Sequence, residues 1–258
     1  FILGTASAAY QTGISFALTL LLAYVPGFLI AGQLAPRINK FGRKHNAYTI
    51  SDFFAVRYSS NRVRIIVALM TLGVYFLFLA AQFVAVAALI TVLTGLECEL
   101  ALILAAVATI AYVAVSGIKS DFYTDFLQFW LMIVFLFILL IPISILGLGG
   151  LEPIKSLPSR YFDPFSFAGI EFFIGGLVLG IPLLLVSMDM WQKIYAAESE
   201  KTARKLFRWS ALVIIPFAVL PALLGIIAAA SLPGSDPNSI IFELMLKFLP
   251  TGLLGIGL

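Results

Sequence analysis

From Ile65 to Leu96 the chain carries no charged residue. As a helix, a run of that length would extend about 48 Å, whereas a hydrocarbon core is about 30 Å thick. Water offers no stable home for such a run. The expectation is a transmembrane helix that tilts or protrudes. Gln82 is the only amide within it. Two readings of Gln82 stand: a hydrogen bond to a neighbouring helix, or a contact with a transported solute.

The rest of the composition agrees. The 258 residues are 62% hydrophobic and 11% charged, where soluble domains carry roughly 25% charged residues. One cysteine, Cys98, excludes an internal disulfide framework. One histidine, His45, and no Cys/His cluster argue against a metal site. No nucleophile–base pair is visible, so an enzyme is not expected. No feature points to nucleic acid. The chain starts at Phe1 and ends at Leu258, both within apolar stretches. The expectation is a single transmembrane domain over 1–258 that continues beyond both ends.

A second stretch is more unusual. Phe172–Met188 is uncharged and just long enough for a thin bilayer, yet it holds Gly175, Gly176, Gly180 and Pro182. Glycine loosens a helix, and proline removes a donor and clashes with the preceding turn. Freed backbone groups survive in a membrane only where protein or a water-filled cavity covers them. A short span interrupted in this way points either to a solute site or to a kink in a packed bundle.

The other spans are read at Gly13–Leu34 (with Pro26), Leu100–Ile118, Phe126–Leu148 and Trp209–Leu232 (with Pro216 and Pro221). Residues 1–10 close an incomplete span, and 249–258 begin another. A basic loop holds Arg37, Lys40, Arg43 and Lys44. Thr49-Ile-Ser-Asp52 matches a capping box before Phe53, Phe54 and Tyr58, which predicts a short interfacial helix. Tight turns are expected at 95–99 and across 116–125, and a short amphipathic piece at 240–248. Asp121, Asp125 and Gln128 share one helix face. They read either as N-terminal capping charges or as part of a cation pathway through Asp125. Asp189 and Lys193 sit at i, i+4 and are placed to pair.

Thirteen of the sixteen Lys and Arg residues fall on alternate connections, which are therefore cytoplasmic. Lys155, Arg160 and Lys247 lie on the other side. The span ending near Tyr10 and the interrupted span after Phe172 are five spans apart, so they run in opposite directions. Each carries small residues, and each precedes a proline-containing span. An inverted five-helix repeat with paired discontinuous helices has this pattern.

Three motifs carry a family resemblance. Tyr48-Thr-Ile-Ser-Asp-Phe-Phe-Ala-Val-Arg-Tyr58 is one. Ser116-Gly-Ile-Lys-Ser-Asp-Phe-Tyr-Thr-Asp-Phe-Leu-Gln128 is the second, with Ser116 in place of the family's glycine and Tyr123 in place of its tryptophan. Trp191-Gln-Lys-Ile-Tyr-Ala-Ala-Glu-Ser-Glu-Lys-Thr-Ala-Arg204 is the third. In order and spacing they resemble the sodium/solute symporter family, which includes proline permeases and sodium–sugar cotransporters. The resemblance implies an all-α, multi-span membrane protein with a partial leucine-transporter-like fold, from the end of core helix 1 to the start of core helix 8. It implies sodium-coupled import of a small organic solute by alternating access at the plasma (cell inner) membrane. Sodium is the coupling ion, its ligands are expected outside 1–258, and no cofactor is implied.

The resemblance also places Asp125 on the inner sodium exit route. It puts the solute against core helices 1, 3 and 6, near Phe1, Leu79, Gly180 and Leu183. The polar candidates there are Gln82 and Ser187, beside backbone opened by Gly175, Gly176 and Gly180. So few polar side chains argue against a sugar. The alternative from another class is a transporter-like sensor fused to a signalling kinase. Oligomeric state has no signature in the sequence.

Overall fold

A computed structural model describes residues 1–166 and 169–253, without the side chains of 112–125. The described residues are helical, with no strand. Five stretches are long and apolar enough to cross a membrane: Ser15–His45, Asn61–Thr94, Phe126–Gly147, Gly169–Val186 and Glu200–Ser231. The shorter Cys98–Ala111 is also apolar. Large apolar side chains such as Leu72, Phe76, Leu77, Val178 and Leu179 stand exposed along them, as contact with lipid requires. The chain is an all-α, multi-span membrane protein.

In order, α1 (Ile2–Thr12) leads into α2 (Ser15–His45), the short α3 (Ile50–Tyr58) and the long α4 (Asn61–Thr94). Gly95, at φ 71°, makes the turn into α5 (Cys98–Met132). A π-helical stretch over Ile133–Leu140 joins α5 to α6 (Ile141–Gly147). Its wider turns absorb Pro142, which has no N–H to give. A loop with α7 (Glu152–Lys155) follows. Then come α8 (Gly169–Val186), α9 (Met188–Ala196), α10 (Glu200–Ser231) and α11 (Ile240–Phe248).

Three elements differ from the sequence reading. The basic loop after Leu34 is helical, because α2 continues through Pro36 to His45. Arg43, Lys44 and His45 occupy its last turn, where positive charge complements the helix dipole. The tight turn expected across 116–125 is absent, since α5 passes through as helix. No proline lies between 98 and 141 to stop it, and Gly117 alone is too weak a breaker. The interruption expected within 175–182 is displaced to Ser187, for reasons given below. By contrast, the capping box of α3 forms as read. Thr49 Oγ1 accepts from the Asp52 N–H at 3.3 Å, and Asp52 Oδ2 accepts from the Thr49 N–H at 2.9 Å.

The chain divides into two compact units. The first comprises Phe1–Phe16, Ala80–Ser166 and Val219–Leu258. Its core holds Ala6, Leu140, Leu224, Ile227, Ile240, Leu244 and Met245. Tyr10 ties three segments together. Its hydroxyl donates to the Leu232 carbonyl at 2.7 Å and accepts from the Ser235 N–H at 3.1 Å. Its carbonyl accepts from the Tyr161 hydroxyl at 3.1 Å. At Gly225, α10 comes so near α1 that an added Cβ would lie 2.2 Å from the Ala6 carbonyl oxygen and 2.8 Å from the Tyr10 nitrogen.

The second unit comprises Ala17–Leu79 and Phe167–Ala218. Its core runs through Phe28, Ala31, Ala35, Leu184, Ile194, Ala203, Phe207 and Ala211. Here α8 lies directly on α2. A Cβ at Gly176 would meet Thr19 Cγ2 at 2.4 Å, one at Gly180 would meet Ala23 Cβ at 2.5 Å, and one at Gly27 would meet Leu184 Cδ2 at 2.7 Å. Both helices use positions four apart, the small-residue spacing that lets two membrane helices approach closely.

These contacts separate two kinds of glycine. Gly225→Ala should lower the stability of the intact protein by about 1–3 kcal/mol, since the intruding atoms are backbone and cannot rotate away. Gly73→Ala, with open space around it, should leave stability unchanged or raise it by up to about 1 kcal/mol. Thermal unfolding of the purified protein measures both, and equal shifts would refute this packing of α1 on α10.

Candidate functional site

The helix break lies between α8 and α9. Ser187 is extended there (φ −68°, ψ 134°). A break releases the last carbonyls of α8, which in a membrane need donors. The sequence supplies them locally. Ser187 Oγ donates to the Leu184 carbonyl at 2.8 Å, and Trp191 Nε1 donates to the Leu185 carbonyl at 2.8 Å. No comparable side chains stand at 175–182. Gly176 and Gly180 serve close packing instead, and the helix runs on past Pro182 to the first residue that can cap it.

The start of α9 is held from α4. The Tyr75 hydroxyl donates to Asp189 Oδ1 at 2.8 Å and accepts from the Asp189 N–H at 3.0 Å. Asp189 thus pairs with a phenol 114 residues away, not with Lys193. Its carboxylate also sits in the first turn of α9, where negative charge is favoured.

The end of α9 is held from α2. Asn39 is fully buried. Its Nδ2 donates to the Ile194 carbonyl at 2.7 Å and to the Ala197 carbonyl at 2.9 Å. Arg43 adds a bond to the Ala197 carbonyl at 3.3 Å and another to the Glu198 carbonyl. Nine residues of helix are therefore fastened at both ends by neighbouring helices.

An aromatic cluster packs beside it. Phe53 of α3 stands 5.1 Å from the Trp191 ring and 5.0 Å from the Phe41 ring. Tyr195 lies against Gly42, where a Cβ would come 2.2 Å from its ring. Burial pushes the Tyr195 phenol up, and the Asp52 charge pushes it further. Asp52 itself moves the other way. Burial alone would raise it. Hydrogen bonds from the Tyr48 N–H and from Thr49, and the Arg64 guanidinium at 2.8 Å, outweigh that and hold it below the usual aspartate value. The first and third sequence motifs, well over 100 residues apart, meet at this cluster.

Of the residues singled out by sequence, Ser187 sits at the break, and Gly176 and Gly180 sit on the α2–α8 contact. Gly175 has no atom within 4 Å of its would-be Cβ. Gln82 is exposed on α4, within the first unit. Asp125 lies outside the described side chains. No group of three His, Cys, Asp or Glu side chains is gathered among the described residues. Sequence reasoning missed Tyr75 and Asn39. Tyr75 is one aromatic among many in an uncharged run, and Asn39 stands among basic residues that pointed to a loop.

The model of the sodium:solute symporter family matches residues 1–162. A sodium/proline symporter of Escherichia coli (strain K12) is 35% identical over 164 residues, covering 60% of this chain and 32% of the relative. A sodium/proline symporter of Salmonella typhimurium is 36% identical over the same length and shares. An uncharacterized symporter of Bacillus subtilis (strain 168) is 23% identical over 233 residues, 84% of this chain and 43% of the relative. The chain thus spans about a third of the length of the two sodium/proline symporters and less than half of the third relative. No solved structure matches it.

Two outcomes follow from the hydrogen bonds of this region. Tyr75→Phe removes both bonds to Asp189 and should cost the intact protein about 1–2 kcal/mol of stability. Asp189→Asn should cost less on top of Tyr75→Phe than alone. A double-mutant cycle in thermal unfolding reads this, and strict additivity would mean the pair does not interact. The depressed Asp52 acid gives a pH effect of definite sign. Its stabilisation is present above the ordinary aspartate value of about 3.9 and is lost as pH falls through the lower folded value. Asp52→Asn should therefore flatten the acid side of the stability profile, and an unchanged acid limb would count against the Asp52 pairings.

Proposed function

The chain belongs to the sodium:solute symporter family, and from that premise we propose that the intact protein is a sodium-coupled symporter. It imports a small organic solute across the plasma membrane by alternating access. The observation that supports this most directly is the discontinuity at Ser187. A helix broken within an apolar region offers backbone groups to a solute, and such breaks are where secondary transporters bind their cargo. In this reading Ser187, with the backbone near Gly180, faces the solute pathway. Gln82 is a further polar contact, and Asp125 stands on the sodium exit route. Gly176 sets the approach of α8 to α2, and Gly175 lies beside it on the open face of the helix.

An amino acid fits the chemistry of the break. Its carboxylate would favour the N-terminal end of α9, where amide groups point outward. Its ammonium would favour the Asp189 carboxylate, displacing the Tyr75 hydroxyl. The two enterobacterial relatives are named for sodium and proline, which makes proline the first solute to test. Coupling then works through populations. Sodium favours the state that accepts solute from outside, and release of both follows the inward opening.

The test is uptake of labelled proline by the intact protein in proteoliposomes, with an inward sodium gradient against an equal potassium gradient. Sodium-dependent accumulation is expected, and Asp189→Asn should reduce it by about tenfold through loss of a charge-assisted contact. Binding without accumulation, for proline and for a panel of other amino acids, would replace transport by sensing.

A further inference from the structure

The C-terminal end of α2 and the junction of α9 with α10 enclose an open groove of about 360 Å³. Asn39, Lys40, Arg43, Ser199, Glu200 and Lys201 line it. Three cations face one carboxylate, so the lining is net positive. Among the described residues neither Lys40 nor Lys201 forms an ion pair. The positive end of α10 adds partial charge of the same sign. An anion of about phosphate size is the complement of such a groove.

A second observation points inward from the wall. Asn39 is fully buried, and both its amide bonds are spent on the end of α9. Its carbonyl oxygen Oδ1 is also buried and has no hydrogen-bond partner. An orphaned buried acceptor costs about 1–3 kcal/mol, and only a donor relieves it. Lys40, Arg43 and Lys201 attract the anion, while Oδ1 asks for a hydroxyl or ammonium on the same ligand.

Depth decides the source of that ligand. The apolar part of α2 ends at Leu34. Asn39 lies about 8 Å further along the helix, the depth of the headgroup layer beside the hydrocarbon core. Arg37 and Lys44 on α2, and Lys205 and Arg208 on α10, are exposed basic side chains on the same two helices. Basic side chains this close to a span attract anionic lipid.

We propose that this groove holds the headgroup of an anionic phospholipid. The phosphate sits against Lys40, Arg43 and Lys201, and a donor on the headgroup reaches Asn39 Oδ1. A glycerol headgroup has both features. The site is separate from the solute pathway and does not depend on transport. Arg43 and Asn39 also clamp α9, so an occupied groove would steady that clamp from the lipid side.

The experiment uses the intact protein in nanodiscs of phosphatidylcholine with or without phosphatidylglycerol, with native mass spectrometry of the lipids retained on release. Lys40→Ala with Lys201→Ala should weaken phosphatidylglycerol retention by about 25-fold, roughly fivefold for each basic side chain at a charged lipid surface. Both lysines are exposed, and the clamp residues are left in place. Should that variant fail to fold, Lys201→Gln alone should still weaken retention by about fivefold. Lys155→Ala with Lys247→Ala should change nothing. Phosphatidylglycerol should also be retained over phosphatidic acid, which lacks the glycerol donors. Equal retention by wild type and both groove variants would overturn the site. Displacement by millimolar inorganic phosphate would overturn the lipid as its source. Equal retention of phosphatidic acid would overturn the pairing with Asn39.

Discussion

Backbone hydrogen bonding at the end of α8 governs the second unit. A membrane supplies no water to carbonyls that a broken helix leaves bare, and each would cost several kcal/mol. Ser187 and Trp191 take two of them. That local rescue fixes where the chain departs from the helix. Everything after it, from the direction of α9 to the aromatic cluster with Phe53, follows from that position. Proline is the obvious suspect for the break. Yet a helix can pass a proline at the cost of one donor and a crowded preceding turn, and one that still packs along Thr19 and Ala23 has reason to continue.

What the sequence made legible is mostly local. The capping box at Thr49 and Asp52 needs only four consecutive residues, and it formed as read. The amphipathic piece at 240–248 is α11, and the turn at Gly95 is where a left-handed residue was required. Five of the span positions follow from hydropathy alone, whereas the one read at 100–118 runs on into the next as helix. The misreadings have a common cause. Charge at 37–44 suggested a loop, but basic side chains suit the last turn of a long helix. Glycines at 176 and 180 left a solute site and a packed kink both open in the sequence, and their close contact with Thr19 and Ala23 is visible only with the partner helix in place. The bond from Tyr75 to Asp189 joins residues 114 apart. No periodicity or spacing could have announced it.

Two roles for small residues are thus separated by geometry. Gly225 and Gly180 are filled from outside by Ala6 and Ala23. Gly175 and Gly73 face open space. The first kind fixes which helices touch. The second kind leaves the backbone less constrained without fixing a contact. Gly175 lies one residue from Gly176 on the same helix, so the difference comes from the face and not from the stretch.

The length of α9 carries the argument one step further. Isolated helices shorter than about 12 residues are marginal even with good sequences, and α9 has nine. Its helicity must come from tertiary contacts. Tyr75 holds one end and Asn39 with Arg43 the other, while Trp191 and Ile194 are buried between them. Loss of either clamp would loosen the local structure at low cost. In the proposed reading, a ligand that competes for Asp189 would open the first clamp, and an anion beside Arg43 would steady the second. Both would act on the same nine residues, so binding at one end would bias the other through the helix between them.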